Sequence, residues 1–300
     1  MAPSRPSTSQ APFCILNGHS IHAEAAKTQL GRIAPEYGIQ AEVVVTKPGD
    51  DISVIAAHAL NACRHPIVAG GGDGTVNAVA GKLAGTDTAL GVLPMGTLNH
   101  FAKDTGIPLD LEAAVRNLFT GKITRVDVGE VNGRVFVNNS GIGFYPHFVR
   151  QREAQQHRGY PKPLAFVRAL RSVIRRYLRL RMRVRLDEVE ALERVTPFLF
   201  VGNNPYETSG PAIATRPTLQ SGRLWVCTAR SGRRNIVRLA LGALTGRDTE
   251  ELTAFETQEI WVDPGTALVN VSLDGEVKVM DPPLHYRIRP ASLAVIVSEH

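Results

Sequence analysis

A glycine-rich segment is the part of this sequence with the most direct chemical use. Residues 69–77 run Ala-Gly-Gly-Gly-Asp-Gly-Thr-Val-Asn, between a short apolar stretch and a helical repeat of apolar residues. Glycine N–H groups that no Cβ shields, together with the positive end of the following helix, bind phosphate. Asp73 suits a site in which a carboxylate and nucleotide phosphates share Mg²⁺. The segment therefore predicts a nucleotide-phosphate site, with an ordinary strand-to-helix turn as the alternative.

The first half of the chain predicts how such a site would be held, because short apolar runs alternate there with helical patterns. The predicted strands are 13–16, 41–45, 66–69 and 89–93, and the predicted helices are 22–33, 52–62 and 76–83. This order favours a parallel sheet with right-handed crossovers, whose ligands bind at the carboxyl ends of the strands. The residues that we expect to bind nucleotide at that edge are Asn17, Thr46, Gly71, Gly72, Asp73, Gly74, Thr75, Asn77, Gly96 and Thr97.

The second half of the chain is typical of antiparallel structure. An Asn-Gly pair at 132–133 joins two alternating runs, which predicts a hairpin with a type I′ turn. Strand-like alternation recurs at 180–186, 197–201, 224–229, 259–262 and 267–273. We therefore predict a tail (1–11), a Rossmann-like nucleotide-binding α/β domain (12–125), an antiparallel β-sandwich substrate domain (126–290), and a C-terminal segment (291–300) that returns to the first domain.

Composition agrees with a folded protein of two domains. The chain has 300 residues, more than one hydrophobic core usually serves, and 43% of them are hydrophobic. The three cysteines lack metal-ligand spacing, so we expect buried reduced thiols in a reducing compartment. No apolar stretch reaches bilayer length, and the Pro/Ser/Thr-rich start lacks the apolar region of a signal peptide. These features predict a cytoplasmic protein.

A second motif makes the resemblance to a known family specific. Residues 90–102 run Leu-Gly-Val-Leu-Pro-Met-Gly-Thr-Leu-Asn-His-Phe-Ala, and two further blocks follow at 137–144 and 273–276. With residues 69–77, they resemble the catalytic domain of the diacylglycerol kinase superfamily, which includes sphingosine kinases and bacterial lipid kinases. NAD kinases and phosphofructokinases carry similar glycine loops, but the second motif favours lipid kinases. The resemblance spans roughly residues 12 to 298.

The resemblance implies a fold of the NAD kinase and diacylglycerol kinase type and an ATP- and Mg²⁺-dependent lipid kinase. It implies Glu276 as the general base toward a lipid hydroxyl, and Asp73 as a residue that positions Mg²⁺ for catalysis. We expect Asp274, two residues before Glu276, to share its strand face and to act with it in catalysis, although Asp-Gly by itself more often marks a hairpin turn. Asp127 matches a second acidic position near Mg²⁺, although a carboxylate at a hairpin edge explains it equally well.

The sequence departs from the family at two positions. His100 stands where lipid kinases usually carry Asp, and Gln220-Ser221 stands where relatives often carry Asp-Asp. Details of metal binding are therefore open, and we assign no ligand in the second segment. Two alternatives remain: a kinase of a soluble acceptor such as NAD, and a nucleotide-binding regulator that has lost catalysis. The identity of the lipid acceptor also remains open.

Positive charge is concentrated between residues 150 and 186. This region holds twelve Lys or Arg and one acidic residue, Glu153, so its local charge is 12 − 1 = +11 against +6 for the whole chain. We predict peripheral contact with an anionic membrane through this region, where each cation contributes about 1 kcal/mol. A solvated helix face is the alternative, and nucleic-acid binding is not expected because few aromatic residues accompany the arginines. Sandwich edges permit a homodimer.

Overall fold

The computed structural model describes residues 11–143, 180–186, 192–196, 198–207, 215–229 and 252–299. The chain divides into two compact units. The first unit comprises Met1–Val128, Thr218–Gln220 and Arg289–His300, and the second comprises Gly129–Pro217 and Ser221–Ile288.

The first unit is built on a parallel sheet. Its strands are β1 (Phe13–Leu16), β2 (Glu42–Val45), β3 (Ile67–Gly71) and β4 (Leu90–Pro94), in the order β2-β1-β3-β4. Its helices are α1 (Ala23–Ile33), α2 (Ile52–Asn61), α3 (Asp73–Leu83), α4 (His100–Asp104) and α5 (Leu111–Thr120), with a 3₁₀ turn at Ala34–Tyr37. Strands β1, β3 and β4 are buried throughout, as expected when helices cover both faces of a parallel sheet.

Local sequence signals explain where several helices begin. The carboxylate of Asp51 accepts a hydrogen bond from the N–H of Ser53 (2.8 Å) at the start of α2. The carboxylate of Asp110 does the same for the N–H of Ala113 (2.9 Å) at the start of α5. These side chains satisfy N–H groups that have no acceptor within the helix, which stabilises each helix by about 1 kcal/mol.

The C-terminal strand contributes to both units. It is β16 (Leu284–Val297), and its residues from Arg289 onward belong to the first unit. There it pairs in parallel with β4, through Val295 opposite Leu90. The last apolar residues of the strand, 293–297, are buried. A segment that pairs across 205 residues of sequence, Val295 with Leu90, therefore completes the core of the first unit.

The second unit is an antiparallel β-sandwich. The remaining strands are β5 (Lys122–Val131), β6 (Arg134–Phe136), β7 (Asn139–Gly143), β8 (Leu180–Leu186), β9 (Leu192–Thr196), β10 (Phe198–Asn203), β11 (Leu224–Ala229), β12 (Leu252–Thr257), β13 (Glu259–Asp263), β14 (Val269–Leu273) and β15 (Glu276–Met280). One sheet has the order β12-β11-β10-β7-β14-β15, and the other contains β16-β13-β8-β9 with the β5–β6 hairpin beside β16. Alternate side chains of both sheets meet in one apolar core.

The predicted fold class is confirmed, and the structure corrects or extends several details. Strands β7, β9, β12 and β15 and helix α5 were not predicted as elements. Cys14 and Cys227 are buried, but Cys63 is exposed, so the prediction of three buried thiols was wrong at that position. No helix among the described residues is long and apolar enough to cross a bilayer.

Candidate active site

The glycine segment forms the junction between β3 and α3. Strand β3 ends at Gly71, Gly72 is the extended residue before the helix, and α3 begins at Asp73. The N–H groups of the first helical turn have no acceptor within the helix, so they point toward the edge of the sheet. This is the arrangement in which a helix end and glycine backbone attract phosphate.

Two glycines bring this junction against the loop that follows β4. A Cβ built on Gly96 would lie 2.5 Å from the Cα of Gly72 and 2.9 Å from Oδ1 of Asn99. The side chain of Asn99 holds the β4–α4 loop, since its Oδ1 accepts from the N–H of Gly96 (3.0 Å) and its Nδ2 donates to the Gly96 carbonyl (2.9 Å). The predicted residues of these two loops are therefore neighbours, and only glycine permits the approach.

The residues after β1 and β2 lie at the same edge. Nδ2 of Asn17 donates to Oγ1 of Thr75 in α3, at 3.1 Å. Oγ1 of Thr46 accepts from the N–H of Gly18, also at 3.1 Å. These hydrogen bonds join β1, β2 and α3 at the carboxyl ends of the strands, as the alternation of elements predicted.

Asp73 makes a contact that sequence analysis did not foresee. Its two carboxylate oxygens accept hydrogen bonds from the N–H groups of His100 (3.2 Å) and Phe101 (3.1 Å). The carboxylate of Asp73 thus caps α4, and His100 takes part through its backbone. Each carboxylate oxygen has two lone-pair directions, so the cap is compatible with a cation on the other side of Asp73.

The other predicted nucleotide and metal residues take varied positions. Gly74 lies in the first turn of α3, Asn77 follows it on the same helix, and Thr97 is exposed in the β4–α4 loop. Asp127 is only 2% exposed, and its Oδ1 accepts from the N–H of Ala291 (2.8 Å). Within the described ranges, no three His, Cys, Asp or Glu side chains form a cluster that could hold a metal by themselves. The metal roles of Asp73 and Asp127 stay predictions.

The hairpin between β14 and β15 corrects one expectation. Asp274 and Gly275 form its turn with positive φ values of 46° and 92°, and β15 begins at Glu276. The two carboxylates therefore do not share one strand face, because a two-residue turn lies between the ends of the two strands. Their predicted cooperation as adjacent catalytic groups is not supported by this geometry.

The carboxylate of Asp274 binds backbone instead. Its Oδ2 accepts from the N–H of Val137 (2.7 Å), and its Oδ1 accepts from the N–H groups of Asn138 and Asn139 (both 2.8 Å). Burial raises the pKa of Asp274 to about 6, although these three N–H groups and the positive charge of Arg216 oppose the shift. The carboxylate thus holds a backbone segment in place, and a catalytic role for it stays a prediction.

Glu276 differs from Asp274 because it is exposed. Its Oε2 lies 2.9 Å from Nζ of Lys278, with about half of each side chain accessible to solvent. An exposed pair of this kind contributes at most about 1 kcal/mol, so the carboxylate can release the lysine when another group approaches. The carboxylate of Glu276 is therefore accessible, and its role as a general base stays a prediction.

A buried polar network behind the hairpin was missed by sequence analysis. Arg216 is only 4% exposed, and its Nη1 donates to the carbonyls of Val137 (2.7 Å) and Asn203 (3.0 Å). Its Nη2 donates to Oδ1 of Asn138 (2.7 Å), and the guanidinium lies 5.5 Å from the ring centre of Tyr206. A lone arginine in a loop gives no periodic signal, so nothing in the local sequence marked it.

The arginine-rich region is described only in part. Residues 150–179, which hold most of these cations, lie outside the described residues. In β8, Arg183 and Arg185 are exposed while Met182 and Val184 are buried, as alternation predicted. The guanidinium of Arg185 lies 4.3 Å from the ring centre of Trp261. The prediction that this region contacts a membrane stays untested.

Comparison with known proteins places both units in described families. The model of the diacylglycerol kinase catalytic domain matches residues 13–131, and the YegS C-terminal NAD kinase beta sandwich-like domain matches residues 147–297. A probable lipid kinase YegS-like protein of Klebsiella pneumoniae is 37% identical over 141 residues, which are 46% of this chain and 47% of that protein. A diacylglycerol kinase of Staphylococcus saprophyticus is 35% identical over 108 residues, 35% of either chain. The matched stretch therefore spans half or less of the length of these relatives.

Solved structures extend the likeness over nearly the whole chain. Two crystal structures from Bacillus anthracis match with TM-scores of 0.75 and 0.68, at 18% and 17% identity, and the second is titled a diacylglycerol kinase. Each match covers 96% of this chain and at least 97% of the other. At this identity they support the fold alone. Since the two family models together cover both units, the chain belongs to the diacylglycerol kinase catalytic-domain superfamily, with a sandwich domain of the YegS type.

Proposed function

We propose that the protein is an ATP- and Mg²⁺-dependent lipid kinase that transfers the γ-phosphoryl group to a lipid hydroxyl. The observation that carries this proposal is the junction of β3 and α3, where glycine backbone and a helix N-terminus meet the carboxylate of Asp73. Family membership supports kinase chemistry, and the names of the relatives favour a lipid acceptor. The second unit supplies an exposed carboxylate, Glu276, of the kind that accepts a proton from an alcohol.

The first unit would hold the nucleotide. N–H groups of Gly72, Gly74 and Thr75 suit the phosphates of ATP, and the Gly96 loop lies against them. One Mg²⁺ fits Asp73, because this ion typically takes one or two protein carboxylates and completes its shell with phosphate oxygens and water. Bound in this way, Mg²⁺ would neutralise charge on the transferring phosphoryl group. Asp127 remains a proposed second acidic residue near this Mg²⁺.

The second unit would supply the base. As the acceptor oxygen forms its bond to the γ-phosphorus, the bond to the β-phosphate oxygen breaks and ADP leaves. The proton of the hydroxyl passes to the carboxylate of Glu276.

Label transfer from γ-labelled ATP tests the reaction directly. Purified protein would be assayed against diacylglycerol, phosphatidylglycerol and sphingosine in mixed micelles, and against NAD, each with Mg²⁺ or with EDTA. An organic-extractable product that requires Mg²⁺ is the expected result. Label on NAD would replace the lipid acceptor with a soluble one. ATP binding without any product would favour a regulator that has lost catalysis.

A matched pair of variants tests the base. Glu276→Gln removes the proton acceptor with little change in shape, and we expect kcat to fall about a hundredfold or more while ATP binding stays unchanged. Glu256→Gln is the control, since Glu256 is an exposed glutamate on β12 of the same sheet. Transfer at the parent rate by Glu276→Gln would remove this residue from the mechanism.

Contact with membranes is part of the proposal. Arg183 and Arg185 are exposed on β8, at the end of the arginine-rich region 150–186. We expect the protein to sediment with vesicles that contain anionic lipid, and to be released as ionic strength rises, because such attraction is screened by salt. Binding that ignores lipid charge would count against this surface. The homodimer is a separate proposal, and light scattering would decide it.

A further inference from the structure

Two charged side chains hold opposite sides of one short backbone segment in the second unit. The segment is Val137–Asn139, which leads into β7. All three of its N–H groups donate to the carboxylate of Asp274, at 2.7 to 2.8 Å. On its carbonyl side, the oxygen of Val137 accepts from Nη1 of Arg216 at 2.7 Å. The segment therefore lies between a carboxylate and a guanidinium.

We propose that Arg216 is a positioning residue for phosphoryl transfer, because it fixes Val137–Asn139 and through this segment the hairpin that carries Glu276. Few hydrogen bonds link Arg216 to the hairpin of Glu276. Arg216 binds the segment, the segment binds Asp274, and Asp274 is the first residue of the turn that leads to Glu276. The N–H of Asp274 also donates to the carbonyl of Asn139 (2.9 Å), so the turn and the segment are joined in both directions.

Other contacts show that the guanidinium is built into the fold. The carbonyl of Asn203 accepts from the same Nη1 at 3.0 Å, and Nδ2 of Asn203 donates to Val137 at 2.9 Å. The hydroxyl of Tyr206 donates to the carbonyl of Asn138 at 3.0 Å. A buried arginine costs free energy unless its donors are matched. Here the hydrogen bonds of Arg216 to Val137 and Asn138 go to the segment that Asp274 also binds, so the arginine supports the hairpin.

Glu276 itself has no comparable support. It is exposed, and it forms an ion pair with the exposed Lys278 on the same strand. A base on the edge strand β15 must nevertheless be held accurately, because a displacement of about 1 Å can reduce the rate about a hundredfold. The position of Glu276 must therefore be set by the turn that precedes it. Arg216 supports this turn indirectly, because it binds Val137–Asn139 and this segment binds Asp274.

Arg216→Met is the variant that tests this inference, with Arg223→Lys as the control. Methionine keeps much of the side-chain volume but removes the charge and the donors, whereas Arg223 is an exposed arginine in the same loop. We expect kcat for lipid phosphorylation to fall about tenfold to a hundredfold, while KM for ATP changes by no more than about twofold. We expect Arg216→Lys to recover part of kcat, since it restores the charge without the planar fork.

Amide hydrogen exchange supplies a second readout. In Arg216→Met, exchange of the N–H groups of residues 137–139 and 274–276 should become faster, while that of the α3 amides stays as in the parent. Unchanged exchange in the hairpin would overturn the inference. Faster exchange with parent kcat would overturn it too, because the contacts would then be structural only.

The inference rests on the proposed function, and the two can fail separately. If the parent phosphorylates no acceptor, the proposed function fails, and the exchange measurement alone decides whether Arg216 holds the hairpin. If Arg216→Met does not fold, Asn138→Ala replaces it, because this change removes one acceptor of Arg216 and leaves the arginine in place. Parent exchange and parent kcat in a folded Asn138→Ala would then reject the role.

Discussion

At the scale of single residues, the carboxylates of Asp274 and Glu276 have different surroundings. Asp274 accepts three backbone N–H groups, whereas Glu276 faces solvent beside Lys278. Moving the carboxylate of Asp274 would break three hydrogen bonds, whereas the exposed carboxylate of Glu276 can move at a small cost in free energy. Under the proposed function, Asp274 would order the backbone and Glu276 would accept the proton.

Asp274→Asn should destabilise the second unit. The amide would present N–H donors to the N–H of Val137, which now donates to Oδ2, so a hydrogen bond becomes a donor–donor conflict. We expect the free energy of unfolding to fall by about 1–3 kcal/mol, measured by urea denaturation. Asp281→Asn is the control, because Asp281 is exposed. Equal stability of the two variants would contradict the role assigned to the Asp274 carboxylate.

The pH dependence of stability should also identify Asp274. Its pKa is raised from 3.8 to about 6 in the folded protein, chiefly by burial, so the folded state binds more protons than the unfolded state between these values. The stability that this group contributes is thus fully present below pH 3.8 and is lost as the pH rises through about 6. Within that window the slope is at most about 1.4 kcal/mol per pH unit.

The comparison of parent with Asp274→Asn isolates this effect. We expect the stability advantage of the parent over the variant to shrink between pH 4 and pH 7, since other groups titrate alike in both proteins. Urea denaturation at a series of pH values measures the difference. An advantage that grows with pH would mean that the hydrogen bonds outweigh burial and that the pKa of Asp274 is lowered.

At the scale of elements, the proposed nucleotide site at the carboxyl ends of β3 and β4 depends on two loops that touch through glycine. The β3–α3 junction and the β4–α4 loop approach at Gly72 and Gly96, and the carboxylate of Asp73 caps α4. Backbone packed against backbone cannot yield as a flexible side chain can. The relative position of the two loops is therefore set by the absence of side chains at these points.

Gly96→Ala should impair nucleotide binding, because its Cβ would lie 2.5 Å from the Cα of Gly72. Relief requires the loops to separate, so we expect a loss of about 1–3 kcal/mol in stability and weaker ATP binding by calorimetry. Gly81→Ala in α3 is the matched control, since nothing lies within 4 Å of its added Cβ. That control should gain about 0.5–1 kcal/mol. Parent affinity for ATP in Gly96→Ala would show that the loops tolerate separation.

At the scale of the whole molecule, the chain closes its first unit with its last strand. Residues of β16 after Ile288 belong to that unit, and Leu293, Val295 and Ile296 are buried there. Each buried side chain of this size contributes about 1.5–3 kcal/mol. The nucleotide motifs of the first 128 residues therefore depend on a segment that follows the entire second unit.

A fragment of residues 1–128 should consequently fold poorly without the C-terminal segment. We expect a broad thermal transition by circular dichroism for the fragment, and a sharper transition at higher temperature when a peptide of residues 289–300 is added. A peptide with Val295 and Ile296 replaced by serine is the control, because it keeps the length but loses the buried side chains. A fragment as stable as the parent would show that β16 is dispensable to the first unit.

The sequence by itself determined the fold class and most elements of the first unit, although it did not predict helix α5, and nucleotide binding at the edge of the sheet remains a proposal. Strand β1 was predicted at its observed limits, since a buried parallel strand between helices is a local pattern. Strand β15 was not predicted as a strand, because its first residue was interpreted as part of a site motif; it is an edge strand with only Met280 buried among its five residues. The residues of the four motifs and their order were enough to identify the family, although the roles of Asp73, Asp127 and Glu276 remain proposals.

Only the tertiary structure decided which side chains support the candidate site. The contact of Asp73 with the start of α4 spans 27 residues, and the bond from Arg216 to Val137 spans 79. No local pattern encodes such pairs, because hydrogen bonds between distant segments depend on how the sheets bring them together. Asp274 illustrates the difference: its sequence places it two residues from Glu276, but the turn directs its carboxylate to Val137–Asn139 instead. Local periodicity sets the elements, and packing sets the partners of each charge.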